Sequence, residues 1–265
     1  MLINQSTLAQ FFSGANANSN STSSSSAEIL AKVSKTMEAR NTVAPKLNAA
    51  LASDNTKLSA LGKLMSGLTT LQTSAQSLSG STSSTTKLDA AQLKTKVTGL
   101  VDSYNALRTT MNGLRKGDLK SDAALSGVST QLAAVFGGSN GGDALIKIGI
   151  TTQADGSLAV DTKKLQAAID ADPSGVSNLF SNGANDGKGI ADNLTSSIKT
   201  LLSSTGSIEK ERTALNKDVA SLNTKKSALE KSMTAQAQAL AKIYSMQSGS
   251  TGASSGRSSL LDLLG

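Results

Sequence analysis

One spacing constrains this chain more than any other feature in it. The positions Ile190, Leu194, Ile198, Leu201, Thr205, Ile208, Arg212, Leu215, Val219, Leu222, Lys226, Leu229, Met233, Gln236, Leu240 and Ile243 follow one another in steps of four and three without a break. Such steps line one face of an α-helix, at the period of a coiled-coil or bundle seam. A second run, Leu93, Val97, Leu100, Tyr104, Leu107, Met111 and Leu114, keeps the steps with no polar interruption. A third includes Leu47, Leu51, Leu58, Leu61, Met65, Leu68, Leu71, Ala75 and Leu78. Gly62 and Gly67 weaken it, each at about 1 kcal/mol against alanine. Leucine seams do not stay in water, because full burial of one such side chain is worth roughly 1.5–3 kcal/mol. The seams near the two termini are therefore expected to pack on each other as an antiparallel pair, or to complete a bundle with neighbouring subunits.

Composition agrees with long, narrow packing. Hydrophobic residues are 38% of the 265 and aromatic residues 2%, few for the broad core of an enzyme of this length. There is no Cys and no His, which removes disulfides, thiolate nucleophiles, imidazole bases and the commonest metal ligands. The formal charge is +7 and the pI about 9.5, which permits nucleic acid or an anionic surface as partner. The basic residues are scattered, however, and in the stretch 209–217 they alternate with acids, the pattern of a solvated helix face. The opening "MLINQSTLAQFFSG" lacks the basic and apolar regions of a secretory signal. No run approaches the roughly 18 apolar residues of a membrane span. The expectation is a cytosolic chain, or one exported without a cleaved signal.

Along the chain, "GANANSNSTSSSS" at 14–26 is low-complexity and expected to be disordered. A helix is expected from about Ala27, interrupted or restarted at Asn41, Thr42 and Pro45. "SGSTSSTT" at 79–86 reads as a linker, and Gly117 as the end of the helix that follows. "IGITTQADGSLAVDTKKLQAAIDADPSGVSNLF" at 148–180 departs from the helical texture. Ile146, Ile148 and Ile150 alternate at strand period, Asp155-Gly156 is a turn, and "SLAV" returns. Asp161 caps a helix whose inward residues are Leu165, Ala168 and Ile169, "DP" at 172–173 stops it, and Val176, Leu179 and Phe180 form a small apolar patch. The fold class is mainly α, with long coiled-coil or bundle helices from both termini and a small α+β segment containing a β-hairpin.

No catalytic, cofactor-binding or metal-binding residue is expected. "GGSNGGD" lacks the G-K-[ST] of a phosphate loop. A serine nucleophile has no histidine to serve it. "QADGS" lacks the further acidic ligands of a calcium loop. No basic stripe is interleaved with stacking aromatics, so neither nucleic acid nor membrane is expected as a partner. A basic helical protein that binds nucleic acid or an anionic surface remains the alternative.

The block at 148–180 resembles the family of flagellar hook-associated protein 2, the filament cap. Its pattern "IGI…DG.L..D…L..A…DP..V..LF" is supplied by Ile148, Gly149, Ile150, Asp155, Gly156, Leu158, Asp161, Leu165, Ala168, Asp172, Pro173, Val176, Leu179 and Phe180. Residues 45–78 resemble the family's N-terminal coiled-coil segment more weakly. The resemblance implies a non-enzymatic, extracellular structural protein of the bacterial flagellum, exported without a cleaved signal. Implied partners are further copies of itself in a ring-like homo-oligomer, flagellin, hook–filament junction proteins and a cytosolic export chaperone; no cofactor is implied. A junction component without capping activity is the alternative within this resemblance. The expected organisation is a disordered tail at 1–26, an N-terminal leg at 27–78, a linker at 79–86 in place of the family's β-rich head, a central helical domain at 87–203 with its hairpin at 146–160, a C-terminal leg at 204–248, and a flexible tail at 249–265. The expected assembly seam is Leu58, Leu61, Met65 and Leu68 with Leu222, Leu229, Met233, Leu240 and Ile243.

Overall fold

The computed structural model describes residues 23–79, 89–137, 141–181 and 189–249. In order they form α1 (Ser23–Ser79), α2 (Ala90–Lys116), α3 (Ala123–Gly137), α4 (Gly142–Lys147), β1 (Ile150–Thr152), β2 (Leu158–Val160), α5 (Thr162–Ala171), α6 (Pro173–Ser181), α7 (Ile190–Leu202) and α8 (Ser207–Gly249). The architecture is mainly α with one two-stranded antiparallel sheet. Residues 1–22 and 250–265 of the tails expected at 1–26 and 249–265, residues 80–86 of the linker expected at 79–86, and parts of both glycine loops lie outside the described residues.

The chain divides into two compact units, Leu51–Ser221 and the joined ends Met1–Ala50 with Leu222–Gly265. In the first, α2 is the axis. Its seven expected seam residues are all buried, with Val101 beside them. Asp89 and Gln92 close a reciprocal cap at its start, satisfying two backbone donors that the first turn leaves free. The C-terminal half of α1 runs antiparallel along α2. Gly67 lies against Leu107, Ser74 Oγ is 2.7 Å from Ser103 Oγ, and Lys96 Nζ donates to the Ser77 carbonyl at 2.7 Å. A Cβ on Gly67 would stand 2.8 Å from Leu107 Cδ1, so the helix propensity lost at this glycine is exchanged for close approach. β2, α5 and α6 pack on α2, while α7 packs on α3 and α6. Tyr104 of α2 and Phe136 of α3 meet with ring centroids 4.6 Å apart at 58°. A single hydrophobic cluster, from Ala60 to Leu215, joins these elements.

In the other unit, the described helices are the N-terminal part of α1 and the C-terminal part of α8. Leu47, Leu222, Leu229, Met233 and Leu240 are half-buried rather than buried, and Val43 is exposed.

Three expectations are corrected. α1 begins at Ser23, within the stretch expected to be disordered, and runs unbroken through Asn41, Thr42 and Pro45. Pro45 lies on the solvent face, where a helix opens outward at least cost. Ile146 is not in a strand. It belongs to α4 and is 56% exposed, and the hairpin begins at Ile150 instead of Ile146. The apparent alternation hid a helical pair, since Leu145 and Ile148, three apart, are the two that point inward. Gly149, at φ +87°, then turns the chain out of the helix, its N–H donating to the Ile146 carbonyl.

Candidate assembly surfaces

The compact insert is built from the turn outward. Gln153 N donates to Ser157 O and Gly156 N to Gln153 O, both at 2.8 Å. The Asp155 carboxylate accepts from the Ser157 hydroxyl at 2.6 Å and from its amide at 2.9 Å. The hydroxyl first, and then the amide, hold the Asp155 carboxyl below its ordinary range. Gly156 takes φ +77°, and any Cβ there would run into the Arg108 guanidinium.

Three residues of α2 hold this hairpin. Tyr104 Oη donates to the Gly156 carbonyl at 3.0 Å, and Arg108 donates to the Asp155 carbonyl. Asn105 does more. Its Nδ2 donates to the Leu158 carbonyl at 2.8 Å, and its Oδ1 accepts from the Leu158 amide at 2.9 Å. One amide side chain thus occupies the outer edge of β2 as a neighbouring strand would. Burial pushes the Tyr104 hydroxyl above its ordinary value, Arg108 opposes that shift, and Asp155 adds to it. The sequence reading placed Tyr104 in a seam and passed over Asn105 and Arg108. Their positions one and four residues on share a helix face, which was the available signal.

The remaining signature residues are frame. Ile148, Ile150, Leu158 and Phe180 are buried. A Cβ on Gly149 would lie 2.7 Å from Lys164 Cβ and 3.0 Å from the Asp161 carbonyl. The Asp161 carboxylate caps α5, accepting from Lys163 N at 3.1 Å and Lys164 N at 3.0 Å. Asp172 accepts from Gly175 N at 2.8 Å, and Pro173 opens α6, a position where its missing N–H costs nothing.

The nine expected seam residues divide between the two units. Leu61 and Leu68 are 0% exposed inside the Leu51–Ser221 unit, with Leu58 and Met65 packed against the same core. Leu222, Leu229, Met233 and Leu240 belong to the unit of the joined chain ends. They are half-buried, as are Lys226 and Gln236 between them, while the neighbouring positions of α8 are exposed. The Ile243 side chain lies outside the described residues. Ile208 and Leu215, earlier on the same stripe, are closed into the core. Arg212 leaves it to pair with Glu209 at 2.6 Å on the surface.

Among the described residues no group of acidic side chains converges as a metal site, and no helix is long and apolar enough to cross a membrane. A shallow groove between Ser227 and Gln238 is lined by α8 alone.

Comparison with known proteins places these features. Residues 70–251 match the family model described as flagellar hook-associated protein 2 C-terminus. The B-type flagellar hook-associated protein 2 of Pseudomonas aeruginosa is 30% identical over 179 residues, 62% of this chain and 37% of that protein. The flagellar hook-associated protein 2 of Escherichia coli is 33% identical over 142 residues, 46% of this chain and 30% of that one. The lateral flagellar hook-associated protein 2 of Vibrio parahaemolyticus is 28% identical over 152 residues, 54% of this chain and 33% of that one. The match thus spans about a third of the length of these relatives. A crystal structure of the D1-D2-D3 domains of the flagellar cap protein FliD from Escherichia coli aligns with a TM-score of 0.43 and 32% identity, covering 48% of this chain and 37% of that one.

Proposed function

The chain belongs to the flagellar hook-associated protein 2 family, and from that membership we propose that it is a structural, non-enzymatic component of a bacterial filament cap. It oligomerises at the filament tip through its helical ends and assists the insertion and polymerisation of flagellin. It works outside the cell, reached without a cleaved signal peptide, and its partners are further copies of itself, flagellin, junction proteins and an export chaperone. The observation that carries the reading is the matched block, folded as a hairpin clamped onto α2, followed by a seam on α8 that its own chain leaves half open. A clamp of this kind holds long helices at a set angle, and a half-open seam is a surface that a partner completes.

Residues 80–89 alone separate α1 from α2, too short a stretch for a β-rich head domain. The proposal therefore concerns tip assembly and does not extend to adhesion. The test is a strain lacking the protein. Loss of filaments with monomeric flagellin in the medium is the expected result; normal filaments with no leaked flagellin overturn it.

A further inference from the structure

Among the described residues, Asp155 and Gly156 form the one Asp-Gly pair. Such a pair can modify itself. The glycine nitrogen attacks the side-chain carboxyl carbon of the preceding aspartate, forming a C–N bond. The carboxyl hydroxyl leaves with the amide proton as water, and a succinimide ring closes. Water then opens the ring. Addition at the side-chain carbonyl restores aspartate. Addition at the main-chain carbonyl gives isoaspartate, in which the main chain runs through Cγ and gains one carbon atom. Water lost in the first step is regained in the second, so nothing else is consumed. Glycine is the most reactive neighbour, because no Cβ shields its nitrogen and its backbone reaches the angles the ring demands.

The fold holds each group that this reaction moves. The Gly156 N–H is donated to the Gln153 carbonyl at 2.8 Å, so the nucleophile is already engaged in the turn. Asp155 Oδ1 accepts from the Ser157 hydroxyl at 2.6 Å and the Ser157 amide at 2.9 Å, so the carboxyl is tied to Ser157. The main-chain carbonyls of Asp155 and Gly156 are held by Arg108 and Tyr104, and Asn105 fixes both backbone groups of Leu158. Asp155 is nevertheless exposed, so water for the second step is at hand and conformation alone withholds the first.

We propose that Asp155-Gly156 is a self-modification site, which forms isoaspartate when the hairpin opens and is kept unreacted by the α2 clamp. The rate in the folded protein is then the open-chain rate multiplied by the fraction of molecules with the hairpin open. The product does not close the same turn. Its added main-chain carbon lies within the loop that the bond from Gln153 N to Ser157 O completes, so each opening that reacts is recorded permanently. The proposal is independent of the surface through which the chain assembles.

The test follows isoaspartate in the full-length protein at neutral pH. Trypsin, cutting after Lys147 and Lys163, releases residues 148–163, which contain this Asp-Gly pair, and electron-transfer fragmentation distinguishes isoaspartate from aspartate in that fragment. The same stretch as a synthetic peptide is the open reference, since a two-stranded hairpin of this size does not hold its fold alone. The native protein is expected to react about a hundredfold more slowly than the peptide. Asn105→Ala is expected to react about tenfold faster than the native protein, the factor set by losing the paired bonds to Leu158. Tyr104→Phe keeps the ring and removes only the hydroxyl that holds Gly156; it is expected to react several-fold faster and remains informative if Asn105→Ala does not fold. A native protein that reacts at the rate of the peptide overturns the protection. Variants that fold and react no faster than the native protein overturn the role of the clamp. A peptide that forms no isoaspartate over the same period overturns the site itself.

Discussion

At the scale of single residues, Asn105 shows how little of a clamp is visible as motif. It is an ordinary polar residue between two seam positions, yet its amide satisfies both backbone groups of Leu158. Asn105→Ala leaves that N–H and C=O to water or to nothing, so a loss of about 1–3 kcal/mol is expected. A thermal melt checks it, and Asn105→Asp, which restores only an acceptor, is expected to recover part of the loss. Asp155 supplies a pH dependence. Its carboxyl is held low in the folded state by Ser157, so its contribution is present above the unfolded carboxylate value of about 3.9 and is lost as pH falls through the lower folded value. Melting temperatures of the native protein and Asp155→Asn should therefore differ at pH 7 and converge towards pH 2. A gap that stays constant over that range contradicts the assignment. The signature "DG" was legible as a turn from its residue types alone. The left-handed backbone that favours glycine at 156, φ +77°, belongs to that turn; the Arg108 guanidinium lying against it was not legible, because it comes from a residue 48 positions earlier.

At the scale of elements, periodicity told which face of each helix is apolar but not what it meets. The α2 stripe was read correctly to the residue, because an uninterrupted four–three run has one inward face. The α4 segment was misread, because three isoleucines at alternate positions satisfy strand period over a span too short to contradict it. The α8 seam is one stripe in the sequence with two fates in the fold: Leu215 is core, while Leu229, Met233 and Leu240 stay half open. Replacing those three with Asp is expected to abolish higher oligomers in sedimentation. The cooperative melt of the Leu51–Ser221 unit should survive, because none of the three belongs to its core. Oligomers that persist after the triple substitution assign assembly to another surface.

At the scale of the whole molecule, stability is distributed unevenly. Among the described residues, every fully buried hydrophobic side chain lies between Leu51 and Leu215. The helices of the joined chain ends are long, but their described seam residues are only half-buried. A helix without a buried face relies on propensity alone, and that is marginal in water. Amide exchange in the isolated protein should be slow along α2 and α7 and faster by orders of magnitude along 23–50 and 222–249. Protection of those ends should rise with protein concentration, as self-association completes their packing. Uniform protection at every concentration would mean that the ends are finished within one chain.

The sequence by itself determined the fold class, the inward stripes, the caps and turns of the 148–180 block, and through that block the family. These follow from local rules of spacing and backbone conformation, which act over a few residues. The tertiary structure alone decided that α1 passes unbroken through Pro45, that Leu61 and Leu68 are spent on the core of their own chain, and that Tyr104, Asn105 and Arg108 form the hairpin clamp. Each of these depends on which distant surface arrives against a given face. Two seams with the same spacing are interchangeable in sequence, and only the packing of the folded chain shows which one is already closed.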